Sequence, residues 1–195
     1  MDYSIRTIRA DEWEKTREIR LAALQDPVAH LAFLDTYVDA VERPDAFWIE
    51  RAEGGSETGD GAVRQFVAEA PDGSWAGTIT VLVERPSDEV RFGEAAKVDQ
   101  THIVGVYVRP EARGTGVIDA LFRAGVEWSW TLPEPVIARV RLYVHEENAR
   151  AAAFYRRFGF VATGERVAVP GSDSAQELEY EFVRPSAGAG SGAGA

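Results

Sequence analysis

"VYVRPEARGTGVIDALF", residues 106–122, passes from an apolar strand into an amphipathic helix through a short polar loop that carries two glycines. Strand signals run through "THIVGVYV" (101–108), and helical spacing begins directly beyond the loop, at Val117, Ala120, Leu121, Ala124 and Trp128. Backbone N–H groups at a helix start have no internal acceptors, and the helix dipole makes that end electropositive. Gly114 and Gly116 place no side chain in the way of an anion, and Arg113 offers a charge-assisted contact. Two interpretations stand side by side: an anion cradle, or a strand–helix turn that needs glycine for its backbone angles. A Walker-type loop is excluded, because Val117 and Ile118 stand where Lys and Ser or Thr are required. The G-x-G-x-x-G spacing of a dinucleotide fingerprint is also missing.

Outward from the loop, "YSIRTIR" (3–9) alternates as a strand, and "ADEWEKTREIRLAALQD" (10–26) follows as a helix with Asp11 as its cap. Residues 27–52 mix aromatic and acidic side chains, and a loop with a second helix is expected there. "VRQFVAEA" (63–70) and "WAGTITVLVE" (75–84) are two strands joined at the turn "PDG". A charged, irregular connection spans 85–100. After the central loop and helix, "ARVRLYV" (138–144) is a strand and "EENARAAAFYRRF" (146–158) a helix, with Gly159 where it stops. "GFVATGERVAV" (159–169) and "QELEYEFV" (176–183) finish as strands. The order β-α-α-β-β-β-α-β-α-β-β predicts an α/β fold with a mixed sheet. Residues 1–184 form one expected domain, and the Gly/Ala/Ser-rich ending 185–195 a flexible tail.

The chain of 195 residues is 45% hydrophobic, enough for a substantial core. It has no cysteine, which removes disulfides, thiolate metal ligands and a cysteine nucleophile. Its histidines, His30, His102 and His145, show no metal-ligand spacing, and no metal is expected. The net charge of −11 argues against non-specific nucleic-acid binding. No apolar run is long enough to cross a bilayer, and the start lacks the layout of an export signal, so a cytoplasmic location is expected.

"VYVRPEARGTGVIDALF" followed by "RLYVHEENARAAAFYRRFGF" (141–160) resembles the GNAT superfamily of acyl-CoA-dependent N-acetyltransferases. Arg113, Gly116, Asn148, Tyr155, Gly159 and Phe160 fall at matching positions of that family's pattern. The resemblance covers roughly 101–160 by motif and residues 3–183 by element order. It implies a GNAT-like fold, a central mixed and largely antiparallel sheet flanked by helices, with acetyl-CoA as co-substrate. It also implies that the amides of Arg113, Gly114, Thr115, Gly116, Val117 and Ile118 cradle the pyrophosphate. Backbone groups of Val106 and Val108 would bind the pantetheine arm, the N–H of Val106 lying near the thioester carbonyl. Where the family has Gly or Ala, this chain has Ile118, which either points inward at the pyrophosphate or lies on the helix flank.

By the same resemblance, Asn148 contacts the pantetheine and Tyr155 protonates the departing thiolate; the two are seven residues apart and share one helix face. The alternative for Tyr155 is a core aromatic beside Phe154 and Phe158. The base that deprotonates the amine is His102, alternated onto one strand face with Val104 and Val106, or else water. "AHLAFLDTYVDAVERPDAFWIE" (29–50) supplies the acceptor side, and Phe33, Asp35 and Tyr37 are its expected contacts, suited to an organic cation. Acetylation of a small-molecule amine by direct attack is the leading function. A protein N-terminal or lysine acetyltransferase and a non-catalytic acyl-CoA-binding module are the alternatives. The strand 176–183 offers an edge for a homodimer, unless its acidic residues protect that edge.

Overall fold

The computed structural model describes residues 2–90, 92–172 and 174–185; the expected tail falls, from residue 186 on, outside them. Seven strands form one sheet in the order β1-β2-β3-β4-β5-β7-β6. They are β1 (Ser4–Thr7), β2 (Val63–Glu69), β3 (Trp75–Glu84), β4 (Gln100–Val108), β5 (Arg139–His145), β6 (Val161–Ala168) and β7 (Gln176–Val183). Every neighbouring pair is antiparallel except β4–β5, as the mixed, largely antiparallel sheet required. The helices are α1 (Trp13–Leu24), α2 (Tyr37–Val41), α3 (Asp45–Gly55), α4 (Val117–Thr131) and α5 (Ala149–Phe158).

Alternation along the strands gives each face its own core. On one face, Leu121 and Phe122 of α4 pack with Ile79, Val81 and Ile103, all buried. Complete burial of each such side chain contributes about 1.5–3 kcal/mol. On the other, Ile19 of α1 and Ala52 of α3 pack with Val67, Trp75 and Tyr107.

Two irregularities of β4 make the site. β4 and β5 pair only through Gln100↔Arg139, Thr101↔Val140 and His102↔Arg141. Beyond that point β5 continues along β7 as far as His145↔Glu177, whereas β4 stays with β3 as far as Gly77↔Val108. The parallel pair therefore separates, and a cleft opens between Ile103–Val108 and the end of β5. The second irregularity is a bulge. Thr78 pairs with Tyr107 but Thr80 with Val104, so Gly105 and Val106 together face Ile79. The backbone at Gly105 takes φ +62°.

This bulge corrects the expected alternation. Val106 packs on the α4 side with Ile103 and Val108, while His102 shares the opposite face with Tyr143 and Arg141. Other expectations also change. α1 starts at Trp13 with Glu12, not Asp11, at its cap; Asp11 is exposed, and the buried Glu12 carboxylate accepts the Arg9 N–H at 2.8 Å. Residues 27–52 hold a 3-10 turn (Ala29–Leu31) and two helices rather than one helix. Thr36 caps α2, accepting the Asp39 N–H at 3.2 Å, and Pro44 separates α2 from α3. Finally, β7 is not an edge. It is paired on both sides, by β5 and β6, so it cannot offer a free edge for a homodimer.

Candidate active site

The separated strands open into a cavity of about 960 Å³ that runs from the loop after β4 to the α1–α3 side of the sheet. Val106, Val108, Arg113, Gly114, Gly116, Ile118 and Asn148 of the expected cofactor contacts line it. Thr115 and Val117 do not: Thr115 Oγ1 turns back to donate to Ala112 O at 2.7 Å, and Val117 is buried in the core.

Gly114 and Gly116 lie at φ +78° and +87°, and Gly116 is the residue that admits α4. No atom lies within 4 Å of where a Cβ would stand at either, so it is the backbone angles that demand glycine. The consequence is electrostatic. Ala120 N–H makes the first bond of α4, to Gly116 O, and the amides from Gly114 to Asp119 reach no acceptor among the described residues. Such a run of free donors at a helix start suits an anion with several oxygens. The Arg113 guanidinium is not free to add to it. It donates to Val108 O at 3.0 Å and is bonded to Asp26, which holds the loop against the segment after α1. Arg150, also on the cavity wall, has no ion-pair or hydrogen-bond partner among the described residues. Ile118 leans on the core while lining the cavity, and it leaves its own amide open.

Asn148 is the N-cap of α5 rather than a residue within it. Its Oδ1 accepts the Ala151 N–H at 3.2 Å and its Nδ2 donates to Leu31 O at 3.3 Å. With the Asp26–Arg113 pair, this contact pins residues 26–31 over the cavity. Tyr155 is at once a core aromatic and part of the cavity wall. Its ring packs at 5.6 Å from both Phe122 and Phe154, yet it lines the cavity, and its hydroxyl has no hydrogen-bond partner among the described residues. Burial, and then the nearby Glu177, push the phenol well above its ordinary value, so it stays protonated.

His102 is 2% exposed, and its Nδ1 lies 2.9 Å from Glu84 Oε1. Burial alone would raise the pKa of Glu84, but His102, Gln100 and Arg141 outweigh it and the carboxylate is held below its usual value. An ionised carboxylate only accepts, so Nδ1 carries the hydrogen, and Nε2 is the ring nitrogen whose lone pair can take up a proton. Glu84 also accepts from Gln100 at 2.8 Å and pairs with Arg141 at 2.7 Å; Arg141 in turn meets Glu179 at 3.3 Å. Sequence reasoning missed Glu84, the last residue of β3. Strand alternation holds the signal, since Glu84 lies two positions from Leu82, the partner of His102.

Glu84→Gln is expected to lower stability by about 2 kcal/mol, because the buried Arg141 keeps a single carboxylate, Glu179, beside its bond to the Tyr143 hydroxyl. A depressed carboxylate contributes its stability above its ordinary pKa of 4.5 and loses it as pH falls through the lower folded value. Urea unfolding at pH 7 and at pH 3.5 should therefore show the difference at neutral pH and a smaller one in acid.

Glu177, a second omission, lines the cavity from β7, and burial pushes its pKa up to about 7. Between 4.5 and 7 the folded state holds a proton that the unfolded chain does not, so this group's contribution to stability falls as pH rises through that window. Glu177→Gln should stabilise the protein by about 1–2 kcal/mol at pH 8, after discounting for solvent, and by little at pH 4. Equal effects at both pH values in denaturant titrations would refute this assignment.

The acceptor side departs most from expectation. Phe33 and Asp35 line the cavity, but Tyr37 does not; it is 38% exposed on α2. Asp35 is already engaged, 3.6 Å from Arg20 and 4.0 Å from Arg43, and the Arg20 guanidinium lies 4.5 Å from the Phe33 ring centroid. No group of three or more potential metal ligands occurs among the described residues, and no helix there is long and apolar enough to cross a membrane.

A seven-stranded sheet parted at β4–β5, with free amides at the following helix, forms an open cleft with an anion-binding end. The chain matches the Acetyltransferase (GNAT) family over residues 6–160 and belongs to it. It is similar to the mycothiol acetyltransferase of Saccharomonospora viridis, 37% identical over 95 residues, which are 49% of this chain and 29% of that protein. The match thus spans less than a third of that curated relative. Among solved structures, a GNAT-family acetyltransferase from Streptococcus pneumoniae superimposes with a TM-score of 0.70 at 14% identity, over 94% of this chain and all of that one (100%). Arabidopsis thaliana NAA60, in complex with acetyl-CoA, does so with a TM-score of 0.64 at 18% identity, over 93% and 98% of the two chains. At these identities the likeness concerns the fold.

Proposed function

We propose that this chain transfers an acetyl group from acetyl-CoA to the primary amine of a small molecule by direct attack. The carrying observation is the unpaired stretch of amides from Gly114 to Asp119, set at the mouth of the β4–β5 cleft. Those donors fit a pyrophosphate, Arg150 offers a further cation to the phosphates, and the β4 edge beyond His102 fits the pantetheine amides. Bound there, acetyl-CoA supplies an activated acyl thioester.

The chain's own groups then have distinct tasks. An alkylammonium has no lone pair, and His102 Nε2 accepts its proton, with Glu84 fixing the ring. The Val106 N–H, at the bulge, stabilises charge that develops on the thioester oxygen as the N–C bond forms. Tyr155 donates its phenolic proton to sulfur as the C–S bond breaks. Without cysteine, no acyl-cysteine intermediate is available.

The pinned segment over the cavity supports a small acceptor over a protein substrate, which needs an open groove. The Glu84–His102 pair supports turnover over a module that only binds acyl-CoA. The test is release of free CoA thiol with a panel of small amines and lysine peptides. Turnover restricted to small amines supports the proposal; turnover restricted to peptides, or none with any amine, contradicts it.

A further inference from the structure

Two arginines enter the acceptor side from different helices, Arg20 from α1 and Arg51 from α3. Both line the large cavity, and both also border a small void beside it that Gln65, Thr78, Thr80 and Gly105 help to close. They lie close enough to repel. Burial first, and Arg51 second, bring the pKa of Arg20 down to about 10, against the opposing pull of Asp35. The protein packed around the Arg51 guanidinium lowers its pKa as well, although the residue itself stays exposed to the open cavity. Both remain charged at neutral pH.

Their compensation is incomplete. Asp35 serves Arg20 at 3.6 Å and Arg43 at 4.0 Å, and it is the acidic residue whose charge is felt at Arg51. The Arg51 guanidinium makes no hydrogen bond or ion pair with the described residues. Three guanidiniums, those of Arg20, Arg43 and Arg51, thus share one carboxylate in a chain whose overall charge is −11, so this positive patch runs against the molecule's general field. The Phe33 ring lies 4.5 Å from the Arg20 guanidinium, Leu34 and Phe92 also line the large cavity, and guanidiniums at such a place bind carboxylate or phosphate in bidentate fashion. Gly105, in the β4 bulge three residues from His102, borders both cavities together with the two arginines.

We propose that Arg20 and Arg51 form an anion subsite, and that the acceptor is a primary amine that also carries a carboxylate or phosphate. The assignment of this ligand as acceptor rests on the acetyl-transfer function above. It replaces the organic cation expected from the aromatic and acidic residues of 29–50, because Asp35 is held by arginines. The amine lies toward His102 and the anion toward Arg51, so the charged group selects and orients the substrate without entering the reaction.

Matched ligands test it by calorimetry on the full chain, with and without saturating CoA: phenylalanine against phenylalaninamide for carboxylate, and phosphoethanolamine against ethanolamine for phosphate. In at least one series the member that carries the carboxylate or phosphate should bind about 10-fold or more tightly than the amine that lacks it, the worth of one or two charge-assisted hydrogen bonds. Arg51→Gln should reduce that preference to about twofold or less, Arg51→Lys should restore part of it, and neither should alter acetyl-CoA affinity. Arg51 has no partner to lose, so these variants should fold normally. A preference that survives Arg51→Gln, or the absence of any preference in both series, overturns the subsite. Failure of acetyl-CoA itself to bind would instead refute acetyl transfer, and the titrations without CoA would still judge the anion site.

Discussion

Tyr155→Phe should lower kcat about 10²–10³-fold and leave the affinity for acetyl-CoA within about twofold. The substitution removes one oxygen and keeps the ring contacts with Phe122, Phe154 and Phe160 that make Tyr155 part of the core. Its hydroxyl has no partner among the described residues, so the folded protein loses no hydrogen bond. A purely structural tyrosine would then show an unchanged rate. The proton donor to sulfur would show a rate that falls at saturating substrate, with a smaller deficit for thioesters of more acidic thiols, which depart without help.

His102→Ala should lower kcat/KM for an alkylamine about 10²-fold at neutral pH, and the deficit should shrink as rising pH supplies the free amine from solution. Loss of packing against Tyr143, whose ring centroid lies 5.4 Å away, would lower activity equally at every pH. Loss of the base makes the rate follow the ionisation of the substrate. Steady-state rates with two amines of different basicity separate these cases, since only a missing base gives curves that move with the amine.

The loop and its helix were legible in the sequence because both are local: a glycine pair with positive φ, then apolar positions at helical spacing. The strand ends, the turn at Gly73 and the stop at Gly159 follow from the same kind of short-range chemistry. The division of residues 27–52 was also available, in Thr36 before Asp39 and in Pro44, but the aromatic residues around them, Phe33, Tyr37, Phe47 and Trp48, masked it. What stayed hidden depends on juxtaposition. The insertion of β7 between β5 and β6 leaves no mark on periodicity. One extra residue at Gly105–Val106 reverses which face Val106 occupies, and only the register with β3 reveals it. Glu84, Arg20 and Arg51 are ordinary polar residues of a strand end and two helices; tertiary packing alone turns them toward His102 and the cavity.

The most direct test of the account is a calorimetric titration of acetyl-CoA into the purified chain, with CoA and ATP in parallel. The free amides from Gly114 to Asp119 and the open β4 edge predict micromolar binding of acetyl-CoA and CoA and none of ATP, which lacks the pantetheine arm. Absence of binding, or equal binding of ATP, would contradict it.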